Sequence, residues 1–249
     1  MQTDNHQWIE PDWPAPTNVR ALMTTRVGGV SQGPYRSLNL GDHVADDAQS
    51  VAQNRALLGA ALHLPATPVW LDQVHGTNIV QLPVTGGVPP QADGSFSRSA
   101  GQVCAVMTAD CLPVLLCDHH GTAVAATHAG WCGLAAGVIE KTVNAMAVGP
   151  DDLMAWLGPA IGPDAFEVGP EVVEAFVHQH SEARHAFRQT SQHHWLADIY
   201  QLARLRLQKI GIQQIYGGGF CTYNDSERFY SFRRDKVTGR MAALIWLAA

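Results

Sequence analysis

Met107-Thr108-Ala109-Asp110-Cys111-Leu112-Pro113 runs into Val114-Leu115-Leu116-Cys117, turns at His119-His120-Gly121, and returns through Ala123-Val124-Ala125-Ala126 to Thr127-His128-Ala129-Gly130-Trp131. Two apolar runs about a short polar turn spell a β-hairpin. With a two-residue turn at His119-His120, Cys111 falls opposite His128; with the turn at His120-Gly121 the two become diagonal neighbours. Either register brings a thiol and an imidazole together.

Working outward, the segments 69–71, 78–82 and 103–108 before the hairpin, and 153–157, 215–217 and 242–246 after it, are short apolar stretches bounded by Gly, Pro or Asp and read as strands. Segment 21–25 reads as another. Helices are expected from Asp47 to just before Pro65, over 134–147, from Pro170, and after Asp198, where Gln201 completes a capping box and Gly211 marks the stop. The region Gly28-Gly29 to Gly41 is a long turn-rich loop, and its Arg26, Arg36 and Asn39 are suited to a ligand. Residues 1–18, with Trp8, Trp13 and three prolines, read as an extended N-terminal arm on a single domain spanning 1–249.

Composition limits the function. With 249 residues and 46% hydrophobic content, the chain can bury a full core. Sixteen Lys+Arg against 22 Asp+Glu leave a charge of −6, which offers no general field for nucleic acid or an anionic membrane. A small-molecule partner is expected. The opening residues lack a basic start and apolar run, and no stretch resembles a spanning helix, so the expected location is the cytoplasm. Five irregularly spaced cysteines argue against a disulfide framework.

His75, in Leu71-Asp72-Gln73-Val74-His75-Gly76, is a third donor candidate beside Cys111 and His128. Zinc accepts thiolate and imidazole, and three protein ligands leave a fourth position for water or substrate. Asp110 stands next to the thiol, where it can move protons or orient a ligand. A metal-free Cys111/His128 nucleophile pair and an ordinary buried thiol remain alternatives on spacing alone. The stretch Arg228-Phe229-Tyr230-Ser231-Phe232-Arg233-Arg234-Asp235-Lys236 interleaves aromatics with cations, a pattern suited to phosphate and a stacked base, or else to a strand edge and turn.

Taken in order, Thr25-Arg26-Val27-Gly28-Gly29-Val30-Ser31, Ser37-Leu38-Asn39-Leu40-Gly41, Gln73-Val74-His75-Gly76, Thr108-Ala109-Asp110-Cys111-Leu112-Pro113, His128-Ala129-Gly130-Trp131, Leu157-Gly158-Pro159-Ala160-Ile161-Gly162 and Phe232-Arg233-Arg234-Asp235 resemble the YfiH family, also called laccase-domain or multicopper polyphenol oxidase proteins. The resemblance covers nearly the whole chain. It implies an α+β fold, a layered α/β/β/α sandwich like the catalytic domain of cytotoxic necrotizing factor, and a zinc site on His75, Cys111 and His128, with copper as the other candidate metal. It further implies phosphorolysis of adenosine, inosine, guanosine and methylthioadenosine, and deamination of adenosine. Amide hydrolysis in peptidoglycan editing is the principal alternative. Copper polyphenol oxidation and non-catalytic, zinc-stabilised binding rank lower, since the chain has a single His-x-His, His178-Gln179-His180. Two departures stand out. Cys132 follows His-Ala-Gly-Trp where the family usually has Arg, and Gly218-Gly219-Phe220-Cys221 lacks the usual Asp-Arg pair. Arg26, Arg55, Arg233 and Arg234 are then the cationic candidates for substrate, with Asn39 beside them.

Overall fold

A computed structural model describes residues 8–249. Strands β1 (Trp8–Ile9) and β2 (Val19–Thr24) lead to helix α1 (Ala48–Ala61), followed by β3 (Ile79–Gln81), β4 (Gly94–Ser97), β5 (Val103–Thr108), β6 (Leu112–Asp118) and β7 (Val124–Ala129). Helices α2 (Trp131–Ala136) and α3 (Val138–Met146) precede β8 (Leu153–Leu157) and β9 (Glu167–Val168). The chain closes with α4 (Pro170–Val177), β10 (Phe187–Ser191), β11 (His194–Ala197), α5 (Ile199–Lys209), β12 (Gln214–Gly217), α6 (Phe232–Asp235) and β13 (Met241–Leu247). The fold is mixed α/β with several sheets: a six-stranded sheet ordered β12-β8-β6-β7-β4-β3, a four-stranded sheet ordered β1-β2-β13-β5, and a small sheet ordered β10-β11-β9.

Alternation of side chains along the strands dictates the packing. On β6, Leu112, Val114 and Leu116 face a core shared with residues of α2, α3, α4 and α5, whereas Leu115 and Cys117 face the four-stranded sheet. Opposing them across the inter-sheet core are Cys104 and Val106 of β5 and Ala243 and Ile245 of β13. The other face of that sheet, Ala105, Met107, Leu244 and Trp246, packs with Leu58 of α1. Strands buried on both faces read as continuous apolar runs, which is why these segments stand out in sequence.

The hairpin adopts the diagonal register, with Pro113 opposite His128 and Cys117 opposite Val124. Its turn is wider than two residues: Asp118 N–H donates to the Ala123 carbonyl at 3.2 Å, and the chain reverses over 119–122. The Asp118 carboxylate explains this, accepting from Thr122 N and Ala123 N, both at 2.7 Å, and from Thr122 Oγ1 at 2.8 Å.

Other differences have local causes. The expected helix over 134–147 is two helices, broken at Gly137, whose φ of 92° lies in the left-handed region. Segment 69–71 contributes only an isolated bridge, Val69 to Cys104. Strand β4 escapes a pattern search because Gly94-Ser95-Phe96-Ser97 is mostly small and polar, yet every residue in it is buried. The Arg/aromatic stretch is neither strand edge nor simple turn, since Phe232–Asp235 forms α6, capped by Ser231. Residues 1–7 of the expected arm lie outside the described residues; Trp8–Ile9 pair with β2, and Trp13 packs on the inter-sheet core. Among the described residues, no helix is long and apolar enough to cross a membrane.

Asp118→Ala is expected to cost about 1–3 kcal/mol by leaving two turn amides without their acceptor. Burial opposes ionisation of Asp118, but the hydrogen bonds from Ala123 and Thr122 outweigh it and hold its pKa down. Its stabilisation is therefore complete above the unfolded value of about 3.9 and fades as pH falls through the lower folded value. Urea titrations at pH 7 and at about pH 3 should show the wild type losing its advantage over the variant at the acid end.

Candidate metal centre and cleft

The diagonal register sets the distance between Cys111 and His128. Cys111 immediately precedes β6 and His128 lies on β7, so the thiol approaches the imidazole from beyond the strand end. His75 reaches the same point from the loop before β3, its ring 4.8 Å from that of His128 and nearly perpendicular to it. One donor atom from each of His75, Cys111 and His128 lies within 4.8 Å of the others. His128 is buried, Cys111 half-buried and His75 exposed, so the cluster opens outward.

Gly130 makes the convergence possible. A Cβ there would stand 2.8 Å from His75 Nδ1 and 3.1 Å from Cys111 Sγ, in the space the donors occupy. The two donor-bearing turns also pass through the left-handed region at non-glycine residues, with φ 58° at His75 and 92° at Asp110. Such strain persists only where the surroundings over-determine it.

Here the surroundings are dominated by Asp93, a residue that the motif reading passes over. Asp93 is fully buried just before β4. Oδ1 lies 2.8 Å from His128 Nδ1 and accepts from His75 N at 2.9 Å; Oδ2 accepts from Gly76 N at 2.6 Å and Val74 N at 3.3 Å. One carboxylate thus shapes the loop that carries His75 and fixes the ring of His128. With Nδ1 committed to Asp93, Nε2 of His128 is the nitrogen left for a ligand. The signal available in sequence was a lone Asp followed by Gly, which also fits an ordinary turn.

The electrostatics follow this geometry. Burial disfavours the Cys111 thiolate, but the charge of His128 and hydrogen bonds from both imidazoles outweigh it and bring the thiol down to about 6. Burial likewise opposes charge on His128, and the Cys111 thiolate and the Asp93 hydrogen bond overcome it, raising its pKa to about 9. Thiolate and imidazole in this arrangement form a donor set for a soft or borderline divalent metal.

Beside the donors lies a cleft of about 170 Å³ lined by Cys111, Asp110, Trp131, Phe166, Phe232 and Arg233 among others. Asp110 does not point its oxygens freely into it: Oδ1 accepts from Thr222 Oγ1 and Oδ2 from Arg233 N, both at 2.6 Å. Arg233 borders the cleft, its guanidinium 5.6 Å from the Phe166 ring centre and Nη1 donating to the Glu167 carbonyl. The other candidates are spent on the framework. Arg26 donates to the carbonyls of Arg36 and Ser226 and lies over Tyr230. Arg55 donates twice to the Leu40 carbonyl and stacks on Trp70. Arg234 ties together the carbonyls of Thr222, Tyr223 and Phe229. Asn39 is buried, its Oδ1 accepting from Gly41 N and Arg240 N and its Nδ2 donating to Gly41 O and Asp46.

Fold and donor set together define a protein with a His-Cys-His cluster that could hold a metal ion, beside an aromatic cleft. The family model described as multi-copper polyphenol oxidoreductase laccase matches residues 20–248. The chain is 56% identical over 239 residues to the purine nucleoside phosphorylase YfiH of Escherichia coli (strain K12), covering 96% of this chain and 98% of that one. It is 55% identical over 241 residues to a purine nucleoside phosphorylase of Pseudomonas aeruginosa, with the same coverages of 96% and 98%. The crystal structure of a Neisseria meningitidis protein superposes with a TM-score of 0.95 at 51% identity, over 98% of this chain and all of that one. A Bacillus licheniformis protein called YfiH gives 0.85 at 30% identity, over 92% of each chain. The chain belongs to the YfiH, or laccase-domain, family.

Asp93→Asn, which keeps the shape but weakens the hold on His128, is expected to lower metal affinity by about 10–100-fold with the fold retained. Competition with a chromogenic chelator measures this. In the same assay the wild type's apparent metal affinity should weaken steadily as pH falls below about 6, where protons compete with the metal for Cys111.

Proposed function

We propose that the chain is a zinc-dependent purine nucleoside phosphorylase acting on adenosine, inosine, guanosine and methylthioadenosine, and that it also deaminates adenosine. The observation that carries this reading is the convergence of His75, Cys111 and His128 beside an aromatic cleft, in a chain 56% identical to a protein named purine nucleoside phosphorylase. Thiolate and imidazole donors suit zinc. Bound by these three residues, the metal would supply Lewis acidity at the cleft. The name of the family does not require copper chemistry here: among the described residues there is one donor cluster, with three donors, whereas a multicopper centre needs several.

The chain's own residues account for the rest. Trp131, Phe166 and Phe232 offer flat apolar faces against which a purine can lie with water excluded. Asp110 positions Arg233 by accepting its backbone N–H, and Arg233 brings positive charge to the rim. Phosphorolysis asks for orientation more than for strong acid chemistry. A phosphate oxygen bonds to the anomeric carbon as the bond from that carbon to the purine nitrogen breaks; the electron pair leaves with the base, which takes up a proton. In deamination, water adds at the amino-bearing carbon of the base and ammonia departs. We take residues 1–249 as one catalytic domain, because the donors come from the loop before β3, the β5–β6 connection and β7, spanning both large sheets.

Product chromatography tests the reading. Zinc-loaded protein given adenosine and phosphate should form adenine and ribose 1-phosphate, and without phosphate it should form inosine. Cys111→Ala, prepared identically, should keep the fold and lose both bound metal and product formation. Normal turnover by that variant would refute the site. Absence of any Cys111-dependent nucleoside product would move the assignment to amide hydrolysis of cell-wall precursors.

A further inference from the structure

Arg240 is the cation that neither the motifs nor the cleft lining singles out. It sits in the connection between α6 and β13, partly buried, with its guanidinium 5.9 Å from the ring centre of Phe232, one of the aromatics bordering the cleft. Its placement is elaborately enforced. The Asn39 side chain accepts its backbone N–H at 2.8 Å, and its carbonyl accepts from Leu40 N at 3.1 Å. Gly41 lies so close that a Cβ there would come within 2.8 Å of Arg240 Cγ. Asn39 and Leu40 thus fix the backbone of Arg240, and Gly41 leaves room for the start of its side chain.

The guanidinium held there is largely unspent. Nη1 donates to the carbonyls of Thr238 and Gly239, both at 3.0 Å, while Nε and Nη2 have no hydrogen-bond partner among the described residues. Arg26, Arg55 and Arg234, by contrast, each commit two or more nitrogens to protein acceptors. Burial holds the Arg240 pKa below its ordinary value, and the negative charges of Cys111 and Asp110 lead the contributions that oppose this. Arg233 borders the cleft with donors to spare, and its chain neighbour Phe232, which also borders the cleft, is the ring that the Arg240 guanidinium faces.

We infer that Arg240, together with Arg233, forms the oxyanion subsite of the cleft and holds the inorganic phosphate that attacks the nucleoside. The inference rests on the phosphorylase reading and assigns its co-substrate to residues. A guanidinium with a free edge matches a tetrahedral oxyanion through two parallel hydrogen bonds, a geometry that an ammonium cannot reproduce. The Arg240 guanidinium lies 5.9 Å from the ring centre of Phe232, which lines the cleft together with Cys111 and Arg233, so phosphate there is held at the edge of the cleft. One of the phosphate oxygens not engaged by the guanidinium forms the bond to the anomeric carbon, and the base leaves with the electron pair and gains a proton, as above.

Two measurements test this with the zinc-loaded protein. Titration calorimetry with inorganic phosphate, in the presence and absence of inosine, is expected to give saturable binding that Arg240→Gln weakens at least tenfold. Arg240→Lys should fall between, and Arg20→Gln, on the exposed face of β2, should match the wild type. In steady-state phosphorolysis of inosine, Arg240→Gln and Arg240→Lys should raise KM for phosphate about tenfold or more while KM for inosine changes less than twofold. A purely structural role would disturb both constants together. Phosphate affinity in Arg240→Lys equal to that of the wild type, or no binding of phosphate to the wild type in either condition, overturns the inference. If wild-type protein binds phosphate through Arg240 but cleaves no nucleoside, the oxyanion subsite stands and the phosphorylase reading fails.

Discussion

The carboxylate of Asp93 is the constraint on which the centre depends. A fully buried charge is costly, and it is tolerated only where hydrogen bonds replace the water it has lost. Asp93 is supplied by three successive backbone amides, Val74, His75 and Gly76, and by the imidazole of His128. Burial raises its pKa, and the hydrogen bonds from His128 and Gly76 lead the opposing contributions that leave it lowered. The consequence is geometric. Amides at 74–76 can converge on one oxygen pair only if the chain turns tightly, which puts His75 into the left-handed region and its ring against that of His128. The sheet supplies the other half, because His128 N donates to the Asp93 carbonyl at 2.7 Å next to the β4–β7 pairing. Strand register and ligand orientation are therefore set by the same residue.

The hairpin and its neighbours were legible because burial on both faces leaves a continuous apolar signature. Val103–Thr108 and Leu153–Leu157 coincide with their sequence reading, and α4 begins at Pro170 as expected. What the sequence hid was structure whose reason lies elsewhere in the chain. Gly94-Ser95-Phe96-Ser97 is buried by α3 and β7, not by its own hydrophobicity, and β9, β10 and β11 are short strands with exposed, polar positions. The donors His75, Cys111 and His128 could be named because thiol and imidazole are distinctive. Asp93 could not, since nothing near it in sequence reveals that it faces a histidine 35 residues away. The arginines were legible only as charges. Whether a guanidinium is spent on carbonyls, as in Arg26, Arg55 and Arg234, or left with free edges, as in Arg240, is decided by partners as distant as 200 positions in the chain.

The two departures from the family pattern fit this division of labour. Cys132 is the second residue of α2, after Trp131, and its thiol is held above its ordinary pKa by burial and by the negative charge of Cys111. A neutral group is what a position near a thiolate prefers when no cation is present. Phe220 packs edge-on against Phe229 and lies 5.6 Å beneath the Arg228 guanidinium, so positive charge is retained in that region although position 220 itself is apolar. Arg228 is in turn tied to Asp225 at 2.6 Å, which limits its reach to a ligand. With positions 132 and 220 uncharged, Arg233 is the arginine that lines the cleft, and Arg240 faces the ring of Phe232 at its border. They are held by different means, Arg233 through Asp110 and the Glu167 carbonyl, Arg240 through Asn39, Leu40 and the closeness of Gly41. Asp110 spans both halves of the arrangement: its strained backbone presents Cys111, and its carboxylate anchors the start of α6. The turn that presents Cys111 and the helix that carries Arg233 are thereby tied together through a single residue, which is the preorganisation a cleft needs if donors and cation are to meet one ligand.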